Sequence, residues 1–163
     1  PYTTLFRSWH TFDMESLDRR IIEELAADSS APLTDLSERL GVPSSTLHQR
    51  IKKLEARGAI KGYRAVIDQR SVGLALHALI SLTPIDPSRP DDIAEKLAQL
   101  EEVESCWSVA GVESYIVKVA VAEPTELEEL LGRIRVLANV STRTTIILST
   151  PFEGRQARIS EEG

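Results

Sequence analysis

Apolar residues between positions 17 and 57 recur at helical spacing. Leu17, Ile21, Ile22 and Leu25 follow i, i+4, i+5, i+8; Leu36 and Leu40 lie one turn apart; Leu47, Ile51 and Leu54 follow i, i+4, i+7. This predicts a helix opening at Leu17, a short one over 34–40 and a longer one over 45–57. Gly41 stands where the second should stop, and Gly58 comes after the third in the left-handed position glycine tolerates best. Gly62 to Asp68 reads as a strand and connector, and Arg70–Gly73 as linker. Beyond residue 74 the pattern alternates. Strands are expected over Leu74–Pro84, Val103–Val109, Tyr115–Val121 and Thr142–Ser149, with helices over Asp91–Leu100 and Thr125–Leu137. Pro84, Pro87 and Pro90 mark the loop after the first strand, and Gly111–Tyr115 is a tight connection. The order β-α-β-β-α-β predicts an α+β fold, a four-stranded antiparallel ferredoxin-like sheet with two helices on one face. Ile, Val and Leu fall on both faces of that sheet, so its helix-free side is expected to bury against another copy.

A length of 163 residues suits one large domain or two small ones of about 50–100 residues each. The expected division is a helical unit at 14–64, a linker at 65–74, the alternating unit at 75–152 and a polar tail at 153–163. Residues 1–13 hold Tyr2, Phe6, Trp9 and Phe12 and differ in character from the rest of the chain. They read as a leader or appended segment ahead of Met14, with an arm packing on a partner subunit as the other reading. With 42% hydrophobic and 27% charged residues the chain is too apolar to be disordered. One cysteine, Cys106, excludes an internal disulfide framework and a cysteine zinc finger; it and Trp107 read as packing residues. No apolar run approaches the ~18 residues of a membrane span and no signal peptide is evident, so a soluble cytoplasmic protein is expected.

Charge is distributed unevenly. The net charge is −6, which argues against a general nucleic-acid coat. Yet residues 44–64 carry six bases (Arg50, Lys52, Lys53, Arg57, Lys61, Arg64) against the single acid Glu55. Such a local patch attracts phosphate. The segment TDLSERLGVPSSTLHQRIKKLEARG, residues 34–58, has the layout of a helix-turn-helix: short helix, glycine turn, longer helix. With Leu47, Ile51 and Leu54 turned inward, Ser45, Gln49 and Lys52 face outward. His48 and Gln49 suit base edges, and Ser44, Ser45 and Thr46 lie at the phosphate-attracting helix N-terminus. Arg50, Lys52, Lys53 and Arg57 suit phosphates, as do Lys61 and Arg64 from a subsequent hairpin, the wing. The competing reading is a solvated charged helix in a module that binds protein. His48, His10 and His77 lie in separate segments and form no metal-ligand cluster, so no metal or cofactor is implied.

Residues 14–152 resemble the Lrp/AsnC (leucine-responsive, feast/famine) regulators. The matching stretches are LDRRIIEELAAD at 17–28, RIKKLEARG at 50–58, IKGYRA at 60–65, VAGVESY at 109–115 and NVSTRTTIIL at 139–148. Within that family, VESCWSVAGVESYIVKV and RIRVLANVSTRTTIIL look closest to the actinobacterial alanine-dehydrogenase regulators. The resemblance implies an N-terminal winged helix-turn-helix on double-stranded operator DNA. It also implies a C-terminal ferredoxin-like domain (called RAM) that dimerises and binds a free amino acid, the dimers assembling to tetramers or octamers. By the same resemblance the effector pocket lies at contacts between dimers and takes in Gly111, Val112, Glu113, Ser114 and Tyr115 from the loop before the third strand, and Thr144 and Thr145 from the last strand. Gly111 allows close approach to the backbone, where amide N–H groups would hold an α-carboxylate. Glu113 or Ser114 would accept from the α-ammonium, and Tyr115 or Thr144 would shape the side-chain pocket. Many relatives carry aspartates where this chain has Val112 and Ser114, which leaves Glu113 the only acid in the loop. Pro43 stands where a capping Ser or Thr is common, so the cap is expected to move to Ser44.

The function expected is a transcription regulator of amino-acid metabolism whose operator binding responds to a free amino acid. Two alternatives belong to other classes. One is a ligand-binding assembly whose first domain contacts protein. The other is an enzyme like the tetrapyrrole decarboxylases that share this layout, disfavoured because no acid–base pair is evident around His77.

Overall fold

The computed structural model describes residues 15–88 and 91–155. The expected leader, 1–13, lies outside the described residues, as does the polar tail beyond Arg155. The chain forms two compact units, one ending at Ala65 and one spanning Val66–Glu153.

In the first unit the helical periodicity becomes α1 (Ser16–Ala27), α2 (Leu33–Leu40) and α3 (Ser44–Ala56). Their apolar stripes meet in a core of Ile21, Leu25, Leu36, Leu40, Leu47 and Leu54, with Leu17, Ile22 and Ile51 at its margin. The turn between α2 and α3 rests on Gly41 at φ 69°, where a side chain would cost roughly 1–2 kcal/mol. The amides of Gly41 and Val42 donate to the Ser37 carbonyl at 2.9 and 3.2 Å, and the Ser37 hydroxyl donates to the Val42 carbonyl at 2.6 Å. Gly58, at φ 75°, terminates α3 as expected, and the amides of Ala59 and Ile60 close on the Leu54 carbonyl.

Two expectations for this unit fail. The cap of α3 does not move to Ser44. Pro43, at φ −59° and ψ 142°, holds the cap position, and Ser44 is already helical, so no side chain caps the helix. Nor does Gly62–Asp68 form a strand within the chain. Residues 61–68 are exposed and join no backbone ladder, and they lead into a 3₁₀ turn at Gln69–Val72 that Asp68 caps.

The second unit is β1 (Leu76–Pro84), α4 (Ile93–Leu97), β2 (Val103–Ser108), β3 (Tyr115–Val121), α5 (Pro124–Ala138) and β4 (Val140–Ile147). The sheet is antiparallel in the order β2-β3-β1-β4, the expected βαββαβ arrangement. Alternation puts Ala78, Ile80, Leu82, Tyr115, Val117, Val119 and Val121 under Ile93, Leu97, Leu127, Leu130 and Ile134 of the two helices. Asn139, at φ 53°, reverses the chain directly from α5 into β4, which starts at Val140 rather than Thr142. α4 is shorter than expected, because its end tightens into i→i+3 bonds from Gln99 to Lys96 and from Leu100 to Leu97.

The opposite sheet face carries no helix. Register places Leu79, Ser81, Trp107, Ile116, Lys118, Arg143, Thr145 and Ile147 on it. Trp107 is 48% exposed and Cys106 is exposed too, contrary to their reading as packing residues. Both sit on β2, an edge strand with β3 as its sole neighbour, so neither is enclosed.

Candidate functional site

α3 presents the expected outward face. With about 3.6 residues per turn, burial of Leu47 and Leu54 turns Ser45, Gln49 and Lys52 to the opposite side. Ser45, His48, Gln49, Lys52 and Lys53 are exposed, and Ser44 and Thr46 are half-buried beside them. Because no side chain caps α3, the amides of its first turn stay available to an anion. Lys52 lies 3.8 Å from Glu55, whose carboxylate also accepts from the Tyr63 hydroxyl at 3.2 Å. Lys53, Lys61 and Arg64 form no ion pair among the described residues.

Arg50 and Arg57 are placed differently from the other four cations. Seven residues apart, they lie on the flank of α3 that faces α1. The Arg57 Nη2 donates to Asp18 Oδ2 at 2.7 Å and the Arg50 Nη1 to Asp18 Oδ1 at 3.1 Å. Arg50 also pairs with Glu15, and its hydrogen bonds to Glu15 and then Asp18 hold the guanidinium above its ordinary range. Asp18 is buried, the one buried charged residue among those described. Arg50 and Arg57, both expected at phosphates, make intramolecular ion pairs here that join α3 to α1. Heptad spacing beside the core positions was the available signal, but it does not name the acid on the other helix.

In the second unit, a cavity of about 210 Å³ opens between the strand ends and the loop before β3. Its lining is Ser81 and Thr83 of β1, Ser141, Thr142 and Arg143 of β4, and Val112 and Glu113 of the loop. Glu113 and Arg143 form an ion pair in it, the carboxylate largely shielded and the guanidinium largely exposed. Of the expected effector residues, Val112 and Glu113 line this cavity, whereas Gly111, Ser114, Tyr115, Thr144 and Thr145 do not. Neighbouring strand residues point to opposite faces, so Thr144, paired with Ile80, lies on the helix-covered side and Thr145 on the other. Gly111 has no positive φ, and a Cβ there would meet only Glu113 Oε2 at 3.9 Å. Ser114 serves the backbone: its amide donates to the Leu82 carbonyl and its carbonyl accepts from the Val109 amide, both at 3.0 Å. Arg143 was missed because the β1–β4 register, which sets Arg143 beside Ser81 and Ser141 beside Thr83, is not written in either strand alone.

Tyr115 anchors the loop from the helix side. Its buried ring and a 2.6 Å hydrogen bond from its hydroxyl to Asp91 push the phenol up to about 12. On the helix-free face burial opposes the charge of Lys118, but Glu153, at 2.6 Å, and Glu104, at 3.5 Å, outweigh it and raise its pKa.

Both units match known families. Residues 14–61 match a winged helix-turn-helix DNA-binding family, and residues 77–157 the Lrp/AsnC ligand binding domain. The HTH-type transcriptional regulator LrpA of Mycobacterium tuberculosis is 49% identical over 143 residues, 88% of this chain and 95% of the relative. The leucine-responsive regulatory protein of Haemophilus influenzae is 29% identical over 140 residues, 83% of this chain and 84% of its own. Among solved structures, a feast or famine regulatory protein from M. tuberculosis complexed with L-methionine aligns with a TM-score of 0.86 at 49% identity, covering 88% of this chain and 97% of that one. Escherichia coli AsnC aligns with a TM-score of 0.80 at 26% identity, covering 88% and 97%. With both domains accounted for by family matches and by a relative 49% identical over 88% of this chain, the chain belongs to the Lrp/AsnC family of helix-turn-helix transcriptional regulators.

Proposed function

We propose that this regulator binds operator DNA through α3 and that a free α-amino acid, held at the Glu113–Arg143 cavity, changes its operator affinity. The observation that carries the effector half is the ion pair lining a cavity of about 210 Å³, below the ~300 Å³ of drug-sized sites and suited to a small metabolite. An α-amino acid is a zwitterion. Its carboxylate complements Arg143 and its ammonium complements Glu113, a match that neither a simple amine nor a simple acid provides. The likeness to a regulator complexed with L-methionine supports the same ligand class. On the DNA side, Ser45, His48 and Gln49 face base edges, while Lys52, Lys53, Lys61 and Arg64 neutralise phosphates.

The helix-free sheet face, with Trp107, Leu79 and Ile116 on it, is the surface through which two copies form a dimer, and dimers build the tetramer or octamer. An effector that favours one assembly over another then shifts the spacing of paired reading helices, which is linkage between two sites. Among the described residues no helix is long and apolar enough to cross a membrane.

A mobility-shift titration on DNA flanking the protein's own gene, with and without a panel of amino acids, tests the reading. A shift that one amino acid alters in the wild type but not in Glu113→Gln is expected. No DNA binding by the wild type refutes the regulatory reading, and an intact response in Glu113→Gln moves the effector elsewhere.

A further inference from the structure

We infer that Asp18 sets the specificity of DNA binding by withholding Arg50 and Arg57 from the phosphate backbone; this rests on α3 being the DNA-binding helix. Six cations in residues 44–64 would, if all free, give the module a strong affinity for any duplex. The structure does not leave them free. Asp18 is 6% exposed, and its two carboxylate oxygens accept from different guanidiniums, Arg57 at 2.7 Å and Arg50 at 3.1 Å. Glu15 takes the outer side of Arg50. Two carboxylates thus balance two guanidiniums, and the cluster is electrically neutral. Swinging either arginine onto a phosphate would loosen the hold on a buried carboxylate, which is costly, so the arginines stay with α1.

The phosphate-neutralising set is therefore Lys52, Lys53, Lys61 and Arg64. That caps the sequence-independent, salt-sensitive part of binding. Ser45, His48 and Gln49, which can read base edges, then decide a larger share of the outcome. The same ion pairs fix α3 against α1, so one acid both orients the reading helix and limits its charge.

The test is the slope of log K against log salt concentration, measured by fluorescence anisotropy on two duplexes. One is the DNA flanking the protein's own gene and the other an unrelated duplex of equal length. Each phosphate neutralised contributes about −0.9 to the slope. Asp18→Asn releases Arg57 outright and leaves Arg50 with Glu15 alone, so its slope should steepen by about 0.9, and by up to about 1.8 per DNA-binding unit where Arg50 also reaches a phosphate. Unrelated duplex should gain more affinity than flanking DNA. Arg57→Gln, which leaves Asp18 paired with Arg50, should keep the wild-type slope, whereas Lys53→Gln should flatten it by about 0.9. This second comparison stands even if Asp18→Asn does not fold. Equal flattening by Arg57→Gln and Lys53→Gln, or a folded Asp18→Asn with the wild-type slope, overturns the inference and leaves the DNA-binding reading intact. Absence of salt-dependent binding by the wild type overturns both.

Discussion

Tyr115 ties the loop that carries Glu113 to the start of the α4 segment, and the strength of that tie can be worked out. Its ring is 8% exposed, and its hydroxyl donates to Asp91 Oδ2 at 2.6 Å. Burial first, then the bond to the carboxylate, raise the phenol from 10.0 to about 12. At ~1.36 kcal/mol per unit, two units amount to ~2.7 kcal/mol between the neutral and ionised forms. Asp91 is itself exposed, so solvent screens part of this, and about 1–2 kcal/mol is the working figure. The phenol is neutral below its pKa, and the folded state keeps the proton longer than the unfolded chain. Stability from this group is therefore complete below pH ~10 and is lost as pH rises toward ~12. Urea unfolding at about pH 8 and about pH 11, beside near-ultraviolet titration of phenolate absorbance, measures both ends. Tyr115→Phe should be less stable at the lower pH by about 1–2 kcal/mol, and the gap to wild type should narrow at the higher pH. The last phenolate to appear in the wild type should be missing from the variant. Parallel loss of stability in both proteins above pH ~10 would refute the assignment.

Other substitutions probe separate parts of the molecule. Gly41→Ala places a Cβ in open space at φ 69°, so its cost is backbone strain alone, roughly 1–2 kcal/mol in urea unfolding of the first unit. Leu130→Ala empties a fully buried position under the sheet and should cost about 2–5 kcal/mol in the second unit. Trp107→Lys adds a charge to the helix-free face beside Lys118. It should shift the assembly toward single chains in light scattering while leaving the melting temperature of each chain nearly unchanged. A dimer as tight as wild type would place the interface elsewhere.

Legibility in the sequence tracked the range of the physics. Leu47, Ile51 and Leu54 revealed α3, because helical periodicity is local, and alternation from Tyr115 to Val121 revealed β3 for the same reason. Gly41 and Gly58 marked turns because the left-handed conformation is a single-residue property. What depended on another segment was hidden. Arg50 and Arg57 read as phosphate contacts from the helix alone, because nothing local shows that α1 brings Asp18 to them, and nothing local in β4 shows that register sets Arg143 beside the Glu113 loop. Alternation, also local, puts Thr144 and Thr145 on opposite faces of β4. The strand read over 62–68 does not form within the chain, because a strand needs a ladder partner and none lies beside those residues in the unit.

The Glu113–Arg143 pair also fixes how ligand binding should respond to salt. These two side chains are partners of each other, so a zwitterion entering between them breaks one ion pair and makes two. The number of charges on the protein side does not change, and no atmosphere of condensed counterions is released, unlike at a phosphate backbone. Effector affinity should therefore vary little with ionic strength, while operator affinity falls steeply. Converting the ligand's carboxylate to an amide leaves one pair broken for one made, with Arg143 short of an anion. A charge-assisted bond is worth ~1.5–3 kcal/mol, and 1.4 kcal/mol is tenfold, so the amide should bind about ten- to a hundredfold more weakly. Isothermal titration calorimetry at low and high salt, with the responsive amino acid and its amide, measures both effects. Equal binding of acid and amide, or an effector affinity that tracks salt as steeply as DNA binding does, would show that the amino acid is recognised by something other than this ion pair.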